Sequence, residues 1–185
     1  MGHGGNVIVE LTTDHREVDS LFAQIEAQPV GAKQRRELAD DLTVELVRHS
    51  VAEEEYLYPA VRRYVDGGDD LADKELEDHA RVERLLKDLE GREADDDLFN
   101  HLIAKLKLEV SAHVRDEESR LFPLLEAACT PEALDELGDK IRKAKKTAPT
   151  RPHPAAPTTP PANKIVATGT GLVDRARDLL TGRNH

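Results

Sequence analysis

Apolar residues recur at intervals of three and four along four long stretches of the chain, the spacing of helices that bury one face. Ile8, Leu11, Val18, Phe22 and Ile25 predict a helix over about 6–28, closed by Pro29 and Gly31. Leu38, Leu42, Leu46, Leu57, Ala60 and Tyr64 predict a second over about 32–65, kinked at the interior Pro59. After the turn at Gly67-Gly68-Asp69-Asp70, Ala72, Leu76, Val82, Leu86 and Leu89 predict a third over about 70–90, broken at Gly91. Ile103, Leu106, Val110, Leu121, Leu124 and Ala128 predict a fourth over about 96–128, capped from Asp95, Asp96 and Asp97 and kinked at Pro123. Thr130-Pro131 opens a short fifth helix to about 145. The expected fold class is all-α, an up-down-up-down antiparallel four-helix bundle occupying residues 1–146. Residues 147–163 are rich in proline and read as an extended linker; 164–185 read as a flexible tail with a short amphipathic helix over about 169–181.

Each apolar seam is interrupted at its middle by histidine. His15 and His79 occupy the first and third, and His49 and His113 the second and fourth. Glu53 and Glu117 follow the latter two by one helical turn, which puts each His/Glu pair on one face. One offset of 64 residues carries Asp14-His15 onto Asp78-His79, His49 onto His113, Glu53-Glu54 onto Glu117-Glu118, and Pro59 onto Pro123. The bundle is therefore expected to contain an internal two-fold repeat. What repeats most faithfully is its imidazoles and carboxylates. A desolvated carboxylate requires a partner, and a metal cation supplies one. Four neutral imidazoles with two carboxylates suit iron, manganese or zinc rather than calcium or magnesium, which prefer all-oxygen shells. The repeat gives each half two histidines and one glutamate, so the natural partition is two histidines per metal with both carboxylates bridging.

Composition narrows the rest. Residues 1–139 carry 16 Lys and Arg against 35 Asp and Glu, a balance of −19, whereas residues 140–185 carry +8. The acidic body argues against nucleic-acid binding by the bundle; the basic tail is expected to suit phosphates, membrane headgroups or the body itself, and the sequence does not choose among them. A single cysteine, Cys129, excludes an intramolecular disulfide and a cysteine zinc cage. With no secretory leader and no membrane-length apolar run in view, a cytoplasmic protein is expected.

Asp14-His15, His49-x-x-x-Glu53-Glu54, Asp78-His79 and His113-x-x-x-Glu117-Glu118, with Tyr58-Pro59 and Phe122-Pro123 downstream, resemble the hemerythrin-like, or HHE cation-binding, family over about residues 7–128. The resemblance implies a four-helix bundle around a non-heme di-iron centre, hence two iron ions as cofactor. It assigns His15 and His49 to one iron, His79 and His113 to the other, and Glu53 and Glu117 as bridges. The chain departs from the oxygen-carrying hemerythrins, which have a further histidine four residues after the one on the third helix. Here that position is Glu83, a weaker candidate ligand or outer-shell group, and its repeat counterpart is Asp19. The fourth helix also has His-x3-Glu where oxygen carriers have His-x4-Asp. The pattern is closer to the bacterial branch with four histidines and two glutamates, which includes iron–sulfur cluster repair proteins and proteins linked to peroxide or nitric oxide.

The function expected from this is a di-iron protein that binds or senses oxygen or nitric oxide. The alternatives are an enzyme that decomposes peroxide or reduces nitric oxide, and iron handling for iron–sulfur cluster repair. The repair proteins usually carry an extra cysteine-bearing N-terminal domain that this chain lacks. Tyr56 and Tyr58 follow Glu53 closely; they read first as packing residues and surface hydroxyls, and second as phenols that approach the metals as ligand or redox partner. Glu54 and Glu118, about 100° from the seam, read as solvated or as partners that hold a ligand from behind. The basic run from Lys140 to Lys146 reads first as a solvated helix end and second as a docking or anionic-surface contact, Cys129 is given no role, and His3, His101, His153 and His185 fall outside the repeat and read as surface or tail residues.

Overall fold

The computed structural model describes residues 4–158 and 162–181 and is helical, with no strand among the described residues. The elements are α1 (Val7–Ala27), α2 (Lys33–Ala52), α3 (Tyr58–Tyr64), α4 (Gly68–Leu89), α5 (Asp97–Asp116), α6 (Phe122–Ala128), α7 (Pro131–Thr147) and α8 (Ala162–Thr181). Two short π-helical turns, Glu53–Leu57 and Glu117–Leu121, join α2 to α3 and α5 to α6. The second and fourth bundle helices are therefore composite rods, and α1 and α4 complete the four corners. Several starts follow from local chemistry. Asn6 accepts the N–H of Val9 at 3.1 Å, Asp96 that of Leu98 at 2.8 Å, and Thr130 that of Ala133 at 3.3 Å. Gly67 enters α4 from a left-handed conformation, φ 70°.

The prolines do not kink the rods as a simple interior break. Each follows a π turn, in which the N–H of Tyr58 bonds to the carbonyl of Glu53 and that of Phe122 to the carbonyl of Glu117. Pro59 and Pro123 then lie in the first turn of the restarted helix, where a missing donor costs little. A π turn inserts an extra residue, so the positions after it fall out of step with the α-helical period by about 100°. This corrects the seam. Tyr64 and Leu124 are 42% exposed and Ala128 is exposed, while Val61, Val65, Phe122 and Leu125 are buried in their place.

The interior has two apolar cores with a polar layer between them. One core contains Phe22, Leu42, Leu86, Phe99 and Leu106. The other contains Leu11, Leu57, Val61, Leu121 and Leu125. Its outer wall is α7, whose Leu134, Leu137, Ile141 and Ala144 pack on the same cluster. Gly138 sets how closely α7 approaches: a Cβ there would meet the carbonyl oxygen of Gly5 at 2.7 Å. The basic end of α7 is not solvated throughout. Lys145 is buried against Glu10 and Asp14, and Arg142 bonds to the Gly5 carbonyl and Glu10.

The helix expected over about 169–181 is longer, Ala162–Thr181, and lies against the body. The segment before it leaves the α-helix at Ala148 and is pinned to α8 and α4. The Thr150 hydroxyl donates to Asp178 at 2.5 Å, Arg151 pairs with Glu90 and Asp178 at 2.7 Å each, and the His153 N–H donates to Glu83 at 2.8 Å. His3 and His185 lie outside the described residues.

Replacing Gly138 by valine forces α7 away from the start of α1. Overpacking of this kind costs about 1–3 kcal/mol, so Gly138→Val is expected to lower the melting temperature, and an unchanged thermal melt would show that α7 is not seated there.

Candidate metal centre

The polar layer is built from one imidazole per rod. His15 lies on α1 between Leu11 and Val18, and His79 on α4 between Leu76 and Val82. His49 and His113 end α2 and α5, one turn before Glu53 and Glu117. All four rings and both glutamates are buried, the glutamates completely. The rings meet edge-on in pairs, His15–His49 with centroids 5.0 Å apart and His79–His113 with centroids 4.8 Å apart.

Each ring is oriented the same way. Nδ1 of every histidine meets a carboxylate: His15 with Glu118 at 2.8 Å, His49 with Asp14 at 3.2 Å, His79 with Glu54 at 3.0 Å, and His113 with Glu75 at 2.8 Å. A carboxylate at Nδ1 fixes the tautomer that leaves the Nε2 lone pair free, and every Nε2 points inward. His49 Nε2 is 3.1 Å from Glu53, His79 Nε2 is 3.3 Å from Glu53, and the Nε2 atoms of His15 and His113 are 3.4 and 3.5 Å from Glu117.

The pattern obeys the repeat. The bond from His15 to Glu118 and the bond from His79 to Glu54 exchange under the two-fold, and each crosses between the halves. Glu54 and Glu118 thus act as orienting partners, and neither is a simple solvated flank. The symmetry breaks in two places. Asp78, the counterpart of Asp14, is 3.9 Å from His113 Nδ1, and Glu75 takes that hydrogen bond instead. Glu75 replaces the apolar Leu11 of the first half. Tyr58 replaces Phe122, which stacks on His15 with ring centroids 5.8 Å apart. The Tyr58 hydroxyl reaches Glu53 at 3.4 Å, His79 Nε2 at 2.9 Å and Glu117 at 3.2 Å. It lies among the candidate ligands, the second of the two readings its position after Glu53 offered, and not the packing role that was the first.

Electrostatics follow from this packing. Burial disfavours charge on His49, but Glu53 and Asp14 outweigh it and push its pKa up to about 10. His79 and His113 are likewise raised, against burial, by Glu53 and Glu54 and by Glu117, Asp78 and Glu75. Burial opposes the Glu53 carboxylate, yet His49 and His79 hold it well below the usual range. Burial raises Asp14, but His49 and Lys145 bring it down on balance. Burial and the carboxylates of Glu117 and Glu53 hold the Tyr58 hydroxyl protonated.

These residues fit a metal. His15, His49, Glu53 and Glu117 offer one donor atom each, all within 4.8 Å of one another, and Glu53, His79 and His113 do the same on the other side. His15 Nε2, one oxygen of Glu53 and one oxygen of Glu117 are buried without a hydrogen-bond partner among the described residues. Such orphans are costly in a protein interior, and a cation satisfies all three at once. A third grouping, Glu75 with His113 and Glu117, includes a glutamate already bonded to the Nδ1 of His113.

The structure brings together all six of the strongest sequence candidates. It does not bring Glu83 with them: that carboxylate bonds to the His153 backbone, and burial raises its pKa. Asp19 lies exposed at 3.6 Å from Arg16. Tyr56 is half-buried beside the second core. Glu75 was missed, although its position four residues before His79, on the same helical face, was a visible sign. Glu10 and Lys145 were missed because a contact between the first and fifth helices leaves no trace in periodicity.

The family model for the hemerythrin HHE cation binding domain matches residues 6–125. An uncharacterised hemerythrin-like protein of Schizosaccharomyces pombe is 28% identical over 169 residues, covering 90% of this chain and 82% of the relative. A protein of Nostoc named as a DNA nickase is 27% identical over 140 residues; the match covers 76% of this chain but only 39% of that protein. The crystal structure of a hemerythrin HHE cation binding domain-containing protein from Mycobacterium kansasii superposes with a TM-score of 0.67 at 25% identity, covering 76% of this chain and 85% of that one. With the family model spanning the whole histidine and glutamate layer, the chain belongs to the hemerythrin HHE cation-binding family.

Proposed function

We propose that the polar layer holds two iron ions and that the protein binds a small diatomic ligand, oxygen or nitric oxide, there. In this reading His15 and His49 hold one iron, His79 and His113 the other, and Glu53 and Glu117 are shared. The observation that carries it is the pair of donor clusters with Glu53 between them, every imidazole turned inward by a carboxylate at its back. Imidazole and carboxylate donors suit iron. Iron held there would supply a Lewis acid and a redox centre. The chain's own residues do the rest. The two apolar cores exclude bulk water, the four carboxylates fix the imidazoles, and Tyr58 offers a protonated hydroxyl beside the shared glutamates.

That hydroxyl favours a second reading, an enzyme that decomposes peroxide or reduces nitric oxide. A buried donor 2.9 Å from His79 Nε2 is placed to hand a proton to a ligand at the centre. No helix among the described residues is long and apolar enough to cross a membrane.

Three outcomes test these readings. His49→Ala and Glu117→Ala are each expected to abolish stoichiometric iron and to lower the melting temperature, because bound metal stabilises only the folded state; full iron content in both variants would refute the ligand assignment. Tyr58→Phe copies the residue at the repeat position and should keep its iron. On the enzymatic reading it slows peroxide loss by about 10²-fold, whereas an unchanged rate leaves the hydroxyl only a packing role. The third concerns the metal-free chain. The His49 pKa is about 10 in the fold against 6.5 as an ordinary side chain, so its stabilising contribution is complete below about 6.5 and is lost as pH rises toward 10. Glu53 and Asp14 are depressed, so their contributions fail only in acid. The metal-free melting temperature is therefore expected to fall between pH 7 and pH 10, and a rise over that range would contradict the charge arrangement.

A further inference from the structure

Outside the histidine layer, a cavity of about 50 Å³ lies between α2, α4 and the C-terminal segment. One water needs roughly 10–15 Å³ by this measure, so the space accepts a molecule of roughly four or five non-hydrogen atoms. Its floor is aliphatic, from Leu46, Val51, Val82 and Leu86; Val166 and Ala167 of α8 close it from above. The roof is built rather than loosely laid on. Besides the bonds of Thr150, Arg151 and His153 already described, the His153 ring meets Asp174 at 2.9 Å. A Cβ on Gly171 would meet the carbonyl oxygen of Thr147 at 2.3 Å, so α8 abuts the end of α7 directly.

One polar group in this wall has an unmet requirement. Asn163 lines the cavity and is 4% exposed. Its Nδ2 donates to the Thr158 carbonyl at 3.2 Å, which fixes the orientation of the amide. Its Oδ1 is then a buried acceptor with no partner among the described residues. The charged groups of the wall argue for a neutral guest. Arg151 is committed to Glu90 and Asp178, and His153 to Asp174, while the carboxylates of Glu54 and Glu83 repel an anion.

We infer that this cavity is a binding site for a neutral short-chain aliphatic molecule bearing one O–H, an alcohol or an alkyl hydroperoxide, whose alkyl part rests on the α2–α4 floor and whose hydroxyl donates to Asn163 Oδ1. The site reaches His79, and it shares Leu46, Ser50, His79 and Val82 with a smaller cavity of about 20 Å³ that lies among all four imidazoles. A guest here is therefore neighbour to the metal layer without occupying it. The inference does not depend on which metal the layer holds.

The test uses the full-length protein as purified and reads binding alone, by saturation-transfer NMR with titration. The probes are 1-butanol and its isomer diethyl ether, which has the same atoms and no O–H. The alcohol is expected to saturate one site per chain and to bind roughly five- to tenfold tighter than the ether, the worth of one hydrogen bond. Asn163→Ala should erase that difference. Ala167→Phe fills the space and should remove binding of both probes; Ala156→Phe, on the non-helical connection that lines the same cavity, serves the same purpose if the first variant fails to fold. Comparison of 1-butanol with propyl hydroperoxide, which has the same number of non-hydrogen atoms, separates the two sources, the tighter binder naming the class. Absence of saturable binding, equal binding of alcohol and ether, an unchanged alcohol preference in Asn163→Ala, or full binding in a folded cavity-filled variant would each overturn the inference.

Discussion

Two carboxylates with no access to solvent, Glu53 and Glu117, set the terms for this bundle. A bare buried carboxylate is among the most expensive groups a protein interior can hold. The four histidines are what make the pair tolerable, and the carboxylates behind those histidines make the histidines tolerable in turn. Metal-free, the layer is a lattice of alternating charge in which protons on His49, His79 and His113 answer the carboxylates around them. With metal present, the cation takes the place of those protons. The apolar cores above and below close over the layer.

The alternation of charge extends outward to two lysines. Lys145 reaches from α7 to Asp14, and Lys74 reaches along α4 to Asp78 and Glu75 at 2.9 and 3.2 Å. Each half thus ends its chain of alternating charges with a lysine nearer the surface, but the two lysines come from different places. One is local to the repeat. The other belongs to a helix outside it, which explains why α7 is packed as an integral wall of the second core.

Much of this was legible in the sequence, because the features concerned are periodic. His15, His49, His79 and His113 occupy seam positions, and a bundle whose seams converge must bring them together. Asn6 was not foreseen as a cap, whereas Asp96 and Thr130 were, since a side-chain oxygen just before an apolar run has a local reason to be there. Tyr64 and Leu124 were misplaced for a physical reason: a π turn changes the angular phase of all that follows, and no single residue type announces it. The proline after each turn hinted at an irregularity without giving its kind. Lys145, Glu10 and the closure of α8 over α2 and α4 depend on how distant elements dock, which spacing along one helix cannot express.

The crossed bonds from His15 to Glu118 and from His79 to Glu54 have a consequence for assembly. Each half of the repeat carries its own imidazoles but borrows from the other half the carboxylate that aims one of them. A free copy of either half would present a misdirected ring and an idle glutamate, and would complete its layer only by pairing with a second copy about a two-fold axis. Joining the copies in one chain removes the concentration dependence of that pairing. It also frees the halves to differ, since a change in one is no longer imposed on both. Tyr58 opposite Phe122, and Glu75 opposite Leu11, are differences a symmetric pair of identical chains could not have held.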